Sequence, residues 1–297
     1  MKVRFADAAD RFDNRTMKHY SVRSKPGDMS SETTPTDGTA DRAVGSHELV
    51  VIGGGVAGLM AATFTARAGI ETLVVNDGES VLNRNGHLEN VPGFPAGVDP
   101  RLFGDMLKSQ ATRNGADFQS ARVTDLDGSL AAGFVATAET DGASREIHAD
   151  RVIVASFPDA DFLDGFDIDV REAGNKQYVE EDHGRTGVEG LYVAGRAAER
   201  YHQAVISAGD GAETAITLIH DAEVPFYNDW VVPEGYFTDR GREVPPGCEE
   251  IDATEQAARQ AESRAAMQEY FDEPHDVQQR THPSLVDDEV GRINFGE

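Results

Sequence analysis

A glycine-rich turn constrains this chain of 297 residues more than any other feature of its sequence. The motif Gly53-x-Gly55-x-x-Gly58 comes directly after the β-branched run from Leu49 to Ile52 and before the small residues from Val56 to Ala68. The first run predicts a buried parallel strand and the second predicts a helix. A further buried strand is expected over residues 71–75, so the segment predicts a right-handed βαβ unit and an α/β fold.

Each part of this unit would contribute to dinucleotide binding in a different way. The first glycine permits a tight turn, the second lets a pyrophosphate approach the backbone, and the third lets helix and strand pack closely. Val56 and Ala57 open the helix, whose unpaired N–H groups and partial positive charge suit phosphates. Asn76 and Asp77 follow the next strand, where an acidic group would accept hydrogen bonds from a ribose. The usual register places Asn76 there, so Asp77 would have to substitute for it.

The remaining pattern indicates one domain over residues 46–222, between an N-terminal arm and a C-terminal extension. The arm, residues 1–45, is polar and is expected to be disordered, and translation could start at Met1 or at Met29. The predicted elements of the domain are a helix from Asp99-Pro100 to Asn114-Gly115, a hairpin over residues 134–148 that turns at Asp141-Gly142, buried strands over residues 151–155 and 191–194, and a helix over about 203–219.

The C-terminal extension, residues 223–297, differs in composition from the domain. A polar helix is expected over about 253–271, and before it five aromatic residues lie among prolines: Phe226, Tyr227, Trp230, Tyr236 and Phe237. One interpretation is that the aromatic residues pack on sheet surface of their own chain, which we favour because apolar side chains usually become buried. The alternative is an interface with a partner or a second copy, that is, a homodimer.

Acidic residues outnumber basic ones by 53 to 27, which gives a formal net charge of −26. Such a charge repels nucleic acid and anionic membranes, and it suits a salt-rich, halophilic cytoplasm in which the repulsion is screened. The longest apolar stretch, residues 49–62, is too short to span a bilayer, and acidic residues follow Lys2 and Arg4 where a signal peptide would be apolar. We therefore expect a cytoplasmic protein that binds neither nucleic acid nor membranes.

Three stretches, in this order, resemble the low-molecular-weight thioredoxin reductases among the pyridine nucleotide-disulfide oxidoreductases: VVIGGGVAGLMAATFTARAG, ENVPGFPAGVDPRLFGDMLKSQATRNGADF and GLYVAGRAAERYHQAVISAGDGAETA. The resemblance covers roughly residues 48–220. It implies a three-layer, Rossmann-like FAD-binding domain with a parallel central sheet and an antiparallel hairpin or meander as crossover. The implied cofactor is FAD, and the implied activity is that of a flavin-dependent oxidoreductase.

The resemblance also implies a role for individual residues. The turn glycines would hold the pyrophosphate, and Val123, at the end of a short strand, would place its backbone against the adenine. Ala155 would end the return strand beside the turn, and Gly195 would lie under the ribitol and pyrophosphate. Two further groups would lie beside the flavin ring, namely Glu89-Asn90 with Pro92-Gly93, and His202-Gln203-Ala204 at the start of a helix. An ordinary strand-to-helix turn would also account for Gly195 and Gln203.

Three departures from the family pattern limit what the resemblance implies. Only 35 residues, 156–190, separate the two late strands, which is too few for the nicotinamide-binding domain expected there. The paired redox cysteines of that domain have no counterpart, since Cys248 is the only cysteine. The family's late Gly-Asp motif is Gly195-Arg196 here, and an arginine cannot accept a hydrogen bond from ribitol. Arg196 could instead reach a phosphate, or it could alter flavin binding.

Other candidate sites are weaker. Cys248 lacks a basic neighbour that would activate its thiol, the aspartates of residues 159–169 have the wrong spacing for calcium, and no histidines show metal-type spacing. His87 and His202 could donate to the flavin or carry a proton. We therefore predict an FAD-dependent oxidoreductase that exchanges electrons with a small molecule or partner protein and reduces no disulfide. The alternatives are a non-catalytic FAD scaffold or redox sensor, and a fold that binds NAD(P) or a flavin-like prenyl or lipid substrate in the same groove.

Overall fold

The computed structural model describes residues 46–226 and 229–285, and the sequence predictions for residues 1–45 and for Tyr227 lie outside these ranges. The helices are α1 (Val56–Arg67), α2 (Pro100–Arg113), α3 (Ala204–Asp221) and α4 (Ala253–Phe271). The strands are β1 (Ser46–Ile52), β2 (Thr72–Asn76), β3 (Asp117–Ser120), β4 (Arg122–Ser129), β5 (Gly133–Thr140), β6 (Ala143–Val154), β7 (Val170–Glu172), β8 (Gln177–Val179), β9 (Leu191–Val193), β10 (Trp230–Pro233) and β11 (Cys248–Ile251).

Seven strands form a mixed central sheet in the order β3-β2-β1-β6-β5-β4, with β9 also paired to β6. The pairs β1/β2, β2/β3, β1/β6 and β6/β9 are parallel, whereas β4/β5 and β5/β6 are antiparallel. Because the parallel strands end at one edge, that edge carries the loops that follow β1, β2, β6 and β9. The predicted α/β fold with a parallel sheet and an antiparallel crossover is confirmed.

The long strand β6 is the main departure from the predicted elements. The sequence predicted a hairpin strand over residues 145–148 and a separate return strand over residues 151–155, but the structure joins them. The first half of β6 pairs with β5, and its second half lies between β1 and β9. Asp150 interrupts the apolar pattern without breaking the strand, since an aspartate lacks the backbone restriction of a proline.

Alternating side chains of the parallel strands divide the core into two layers. Leu49 and Val51 of β1 belong to an apolar cluster that also contains residues of α1 and α3. Val50 and Ile52 belong to a second cluster, with Leu126 and other residues of the β4–β6 meander. Successive residues of a strand point to opposite faces, so helices cover one face of the sheet and the meander covers the other. This arrangement is the expected three-layer domain.

Helix α2 begins where the sequence predicts, because Asp99 caps it. One carboxylate oxygen of Asp99 accepts hydrogen bonds from the backbone N–H groups of Arg101 at 2.8 Å and Leu102 at 3.2 Å. Pro100 occupies the first helical position, where the missing N–H costs nothing. Phe103 and the other apolar residues of α2 pack on the loop between β2 and α2 and form a third apolar cluster with it. This packing positions a loop that lines the site described below.

The C-terminal residues form a small parallel pair, β10 and β11, followed by α4. The aromatic residues predicted as one group are divided. Phe226 lies in the core beside α1 and α3, while Trp230, Tyr236 and Phe237 pack against one another with ring centroids 4.9 to 6.3 Å apart. Within residues 46–226 and 229–285, every helix is too short or too polar to cross a membrane.

Candidate functional site

The glycine turn between β1 and α1 is held by close packing at two of its glycines. Gly53 has φ of +112°, and a Cβ there would lie 2.7 Å from the backbone of Ala155 at the end of β6. A Cβ on Gly58 would lie 1.9 Å from the carbonyl oxygen of Gly53, so helix and turn could not approach as they do. Packing within the protein therefore requires glycine at both positions.

Gly55 is different, because the protein itself does not require a glycine there. Its φ of −82° is accessible to any residue, and the nearest atom to a Cβ would be Ser80 Oγ at 3.9 Å. Gly55 lines an open cavity. A glycine that lines a cavity without a packing reason is what a ligand that approaches the backbone would need.

The N terminus of α1 faces this cavity with its backbone N–H groups uncapped. Gly55 is the N-cap residue of α1, and no side chain accepts a capping hydrogen bond there. The first turn of the helix contains no acidic residue. The first N–H groups of a helix have no partner within it, and the helix dipole adds partial positive charge there. Gly55, Val56 and Ala57 line the cavity, so these donors are available to an anionic group.

The end of β2 separates the roles of its two polar residues. Asn76 Oδ1 accepts a hydrogen bond from the N–H of Gly54 at 2.8 Å, and Asn76 Nδ2 donates to the carbonyl of Gly78 at 3.0 Å. Asn76 therefore anchors the turn. Asp77 is exposed and lines both cavities described next. Its carboxylate is an acceptor that the cavity offers to a hydroxyl group at the end of β2.

The main cavity has a volume of about 680 Å³. It is lined by these predicted site residues: Gly53, Gly55, Val56, Ala57, Asn76, Asp77, Asn90, Ala155, Arg196, His202, Gln203 and Ala204. A second cavity of about 210 Å³ includes Val123 and shares Gly53, Asn76, Asp77, Ser156 and Phe157 with the first. The two cavities therefore form one groove across the carboxyl edge of the parallel strands.

Gly58, Val123 and Gly195, which were predicted as site residues, lie outside the main cavity. Gly58 packs against the turn, as described above. Val123 lines the second cavity, but it is the second residue of β4 and not the end of a short strand, because the preceding short strand β3 stops at Ser120. Gly195 has φ of +72°, and a Cβ there would lie 2.6 Å from Ala57 Cβ. Gly195 therefore allows the loop after β9 to approach α1.

At the end of the groove away from Val123, two residues 113 positions apart meet. Asn90 Nδ2 donates a hydrogen bond to Gln203 Oε1 at 2.6 Å, which ties the loop before α2 to the start of α3. His202 lies beside them. Desolvation lowers the pKa of His202 below its usual range, and the positive charges of Arg196, Lys176 and Arg84 act in the same direction. Both effects favour the neutral form of its imidazole.

Arg196 occupies the position where the family motif has an aspartate. One guanidinium nitrogen donates to the hydroxyl of Tyr178 at 2.8 Å, and another donates to the carbonyl of Arg200. The guanidinium lies over the rings of Phe157 and Tyr178, at 5.2 and 5.3 Å from their centroids. Two aromatic faces and two hydrogen bonds hold this cation in one orientation at the cavity wall.

A buried carboxylate supports the same loop from behind. Asp210 of α3 accepts hydrogen bonds from the N–H of Gly195 at 2.6 Å and from Arg200 Nε at 2.5 Å. The hydrogen bond with Asp210 raises the pKa of Arg200 further above its ordinary value. Arg200 also donates to Glu181 at 2.5 Å. No sequence pattern identifies Asp210, since its role depends on contacts between α3 and the loop after β9.

The remaining residues either line the main cavity or lie away from it. His87 and Glu89 line the cavity, whereas Pro92, Gly93 and Cys248 are not among the lining residues. Further lining residues were not predicted from the sequence: Glu79, Ser80, Val81, Leu82, Asn85, Leu88, Ser156, Phe157 and Ser207. In the described ranges, no three His, Cys, Asp or Glu side chains are grouped so that they could hold a metal ion.

A comparison with known families finds one match, which covers the turn and most of the sheet. Residues 47–156 match the family described as pyridine nucleotide-disulphide oxidoreductase. The matched range begins at the second residue of β1, contains β2 to β6, α1 and α2, and ends at the residue after Ala155. The glycine turn, Asn76 and Asn90 all lie inside it.

Two curated proteins illustrate the similarity in sequence. Thioredoxin reductase of Aquifex aeolicus is 36% identical over 85 residues, which are 27% of this chain and 26% of that protein. The bifunctional thioredoxin reductase/thioredoxin of Mycobacterium leprae is 42% identical over 81 residues, which are 26% of this chain and 17% of that protein. The chain thus spans about a quarter or less of the length of these relatives.

Solved structures show the same fold at low identity. A thioredoxin reductase from Gloeobacter violaceus is 15% identical with a TM-score of 0.51, over 60% of this chain and 96% of that one. An oxidoreductase from Agrobacterium tumefaciens is 18% identical with a TM-score of 0.51, over 61% of this chain and 99% of that one. These matches establish the architecture of the domain.

Proposed function

We propose that this chain, a member of the pyridine nucleotide-disulphide oxidoreductases over residues 47–156, is an FAD-dependent oxidoreductase that reduces no disulfide. The observation that carries the proposal is Gly55. The residue lines the cavity at the uncapped start of α1, and no packing contact or backbone angle of the protein demands a glycine there. A diphosphate that lies on the backbone N–H groups would demand one.

The residues of the groove fit the parts of FAD in order. The N–H groups of Gly55, Val56 and Ala57 would hold the diphosphate, and Asp77 would accept hydrogen bonds from the adenosine ribose. The second cavity, beside Val123, would take the adenine. This leaves the longer part of the groove, up to the Asn90–Gln203 hydrogen bond, for the ribityl chain and the ring.

The chain would bind FAD, orient its ring and polarise it through nearby dipoles and amide groups. FAD supplies the electron-transfer chemistry that side chains lack. The N terminus of α3, at Gln203 and Ala204, has no side-chain cap and faces the same cavity, so its dipole favours negative charge there. The Asn90–Gln203 hydrogen bond fixes two amide groups where a ring edge would meet them.

The structure around residues 156–190 supports the loss of disulfide reduction. The connection contains one short 3₁₀ turn, Asp161–Leu163, and the hairpin β7–β8, whereas a dinucleotide-binding domain needs several βα units. A single cysteine in the sequence cannot form an intramolecular redox pair. The electron donor and acceptor would therefore be small molecules or a partner protein that reach the open groove.

Two alternatives differ in what the groove would do. In one, the domain binds FAD without turnover as a scaffold or redox sensor, and the flavin would stay oxidised with every donor tried. In the other, the groove holds NAD(P) or a lipid. The protein would then be colourless, and its melting temperature would rise with NADH but not with FAD.

The experiment that tests the proposal is purification in molar salt, followed by a visible spectrum and identification of any released cofactor. A yellow protein that releases FAD supports flavin binding. Addition of NADPH with a disulfide acceptor then tests the second part, since rapid turnover would refute the loss of disulfide reduction. A protein that neither carries nor takes up flavin in concentrated salt would overturn the proposal as a whole.

A further inference from the structure

Loops that follow three parallel strands meet around the start of α1. A Cβ on Gly53, in the loop after β1, would lie 2.7 Å from the backbone of Ala155, which follows β6. A Cβ on Gly195, in the loop after β9, would lie 2.6 Å from Ala57 Cβ in the first turn of α1. Arg196 follows Gly195 directly in the chain, so its backbone lies beside the proposed diphosphate site.

The guanidinium of Arg196 lies close to where the two cavities meet. Arg196 lines the main cavity together with Gly55, Val56 and Ala57. Its guanidinium carbon lies 5.2 Å from the ring centroid of Phe157, and Phe157 lines both cavities. The diphosphate joins the adenosine of a dinucleotide to the remainder, so it belongs at the same junction. The cation and the diphosphate are therefore expected at the same part of the groove.

Contacts within the protein hold the guanidinium of Arg196 in place. One of its nitrogens donates to the hydroxyl of Tyr178 at 2.8 Å, and its carbon lies 5.3 Å from the centroid of that ring. Another nitrogen donates to the carbonyl of Arg200. Arg200 is itself held by the carboxylates of Asp210 and Glu181. A planar guanidinium fixed in this way binds phosphate with little further loss of side-chain entropy.

Arg196 also retains donors for a ligand. Two of its five N–H groups are used by the contacts above, which leaves three. The neighbouring cations are paired, since Arg171 forms an ion pair with Glu199 and Arg200 forms one with Glu181. Arg196 donates only to neutral oxygens among the described residues. A fixed cation that lines a cavity without an anionic partner is suited to a phosphate group.

We infer that Arg196 binds the diphosphate of the dinucleotide together with the N terminus of α1, and this inference rests on the proposed function. The ribitol contact of the family's aspartate is lost here, because an arginine cannot accept a hydrogen bond from a hydroxyl group. A charge-assisted hydrogen bond to the diphosphate replaces it. The chain then binds the ADP part of FAD more strongly than the riboflavin part.

The test compares ligands that contain different parts of the cofactor. These are FAD, ADP, which has the diphosphate without ring or ribitol, and riboflavin, which has ring and ribitol without phosphate. Calorimetry gives their affinities in molar KCl, which screens long-range repulsion from a chain of net charge −26. A difference between variants in this solution therefore reports mainly on local contacts.

The variants change the cation at position 196 and at one matched position. Arg196→Met removes the charge but keeps an unbranched side chain, and Arg196→Asp introduces the residue of the family motif. The control is Arg171→Met, because the guanidinium of Arg171 also lies over the Tyr178 ring, at 4.9 Å, but lines neither cavity. If urea unfolding shows that the variants at position 196 do not fold, Tyr178→Phe replaces them, since it removes one hydrogen bond from Arg196 and keeps the ring.

We expect Arg196→Met to bind ADP and FAD about tenfold or more weakly than the natural chain, because a charge-assisted hydrogen bond is lost. Arg196→Asp should weaken ADP binding further, since it places a carboxylate beside the diphosphate, and should not weaken riboflavin binding. Arg171→Met should change each affinity by less than about threefold. Tyr178→Phe should weaken ADP binding by about threefold or more, because the guanidinium becomes less fixed.

Several outcomes would overturn the inference. One is unchanged ADP binding by Arg196→Met, and another is equal weakening in Arg171→Met, because net charge alone would then account for the effect. Stronger FAD binding by Arg196→Asp would show that a ribitol contact matters more than a diphosphate contact. Equal weakening of ADP and riboflavin binding would indicate a change of the whole cavity.

The titration with ADP separates this inference from the proposed function. If FAD binds and ADP binding does not depend on Arg196, the inference fails while the FAD proposal stands. If no FAD is taken up but ADP binds and is lost in Arg196→Met, the diphosphate contact is established while the flavin proposal fails. Absence of binding of both ligands would overturn both.

Discussion

The three glycines of the turn have different physical requirements, and alanine substitutions should separate them. A Cβ at position 58 would collide with the carbonyl oxygen of Gly53, so Gly58→Ala should destabilise the fold by about 1–3 kcal/mol or more. Gly55→Ala meets no such contact and should cost at most about 1 kcal/mol, as a poorer N-cap. Urea unfolding without added cofactor measures both values.

The affinity of the two variants for FAD completes this prediction. Gly55→Ala should bind FAD at least about tenfold more weakly than the natural chain, because its methyl group occupies the space of the diphosphate. Gly58→Ala can fold only if α1 moves away from the turn, so any loss of FAD binding in this variant should accompany a loss of stability, whereas the loss in Gly55→Ala should not. Quenching of flavin fluorescence gives both affinities. Unchanged binding by Gly55→Ala would contradict the placement of the diphosphate.

Two histidines should titrate on opposite sides of pH 6.5. Desolvation and nearby cations lower the pKa of His202, whereas the hydrogen bond with Glu213 and the charge of Asp182 raise the pKa of His183. A lowered pKa means that the contribution of His202 to stability decreases as the pH falls below 6.5. The contribution of His183 is present below pH 6.5 and is lost as the pH rises through its folded-state pKa.

Proton NMR titration of the imidazole resonances measures both pKa values directly. The variants His202→Gln and His183→Asn assign the two resonances and serve as controls for each other. In molar salt the pKa of His202 should remain low, because its main cause is desolvation, which salt does not screen. A His202 pKa at or above that of an exposed histidine would mean that the side chain is fully solvated.

Local sequence patterns were sufficient for some site residues and insufficient for others. The turn glycines and Asn76 could be predicted because strand, turn and helix are consecutive in the chain. Asn90 and Gln203 came only from the family resemblance, since no local rule pairs residues 113 positions apart. The stacking of Arg196 on Tyr178 depends on where a loop folds back, which no residue pattern encodes.

Among the elements, those with end signals or long apolar runs could be predicted, and short exposed strands could not. Asp99 and Pro100 mark the start of α2, and the predicted turn at Asp141-Gly142 has positive φ at both residues. The hairpin β7–β8 has three residues in each strand, and β7 is fully exposed, so no alternation was visible. Short exposed strands of this kind depend on their contacts with the rest of the fold, which the local sequence does not show.

The segment after α4 should stabilise the loop that lines the cavity. Gln279 Nε2 donates to the carbonyl of Arg84 at 3.0 Å, and the N–H of Arg280 donates to the carbonyl of Asn83 at 3.0 Å. His275 lies 2.9 Å from a carboxylate oxygen of Asp105 on α2. We therefore predict that a chain ending at Asp272 shows at least about tenfold faster amide hydrogen exchange over residues 79–88.

Mass spectrometry after hydrogen exchange measures this change, with β1 as the internal reference whose rates should not change. The matched control is a chain that ends at Leu285, which keeps the contacts of Gln279 and Arg280. Equal acceleration in the two shortened chains would show that residues 273–285 are not the cause. Unchanged exchange over residues 79–88 would show that the loop is stable without them.

At the scale of the whole molecule, two electrostatic effects oppose each other as salt increases. Exposed ion pairs such as Arg113–Glu262 and Arg259–Glu249 weaken, but pairs at the surface contribute little to stability. The repulsion among the excess carboxylates also weakens, and a formal net charge of −26 makes this second effect dominant. The balance favours stabilisation of the fold by salt.

We therefore predict that the urea midpoint of unfolding rises with KCl, by a free energy on the order of 1–3 kcal/mol. The Debye length falls from about 10 Å at 0.1 M salt to about 3 Å at 1 M, so most of the gain should occur below 1 M. Urea titrations at about 0.1, about 1 and about 3 M KCl measure it. A gain confined to the range above about 1 M would indicate exclusion of salt from the surface, because screening of charge repulsion is nearly complete by then.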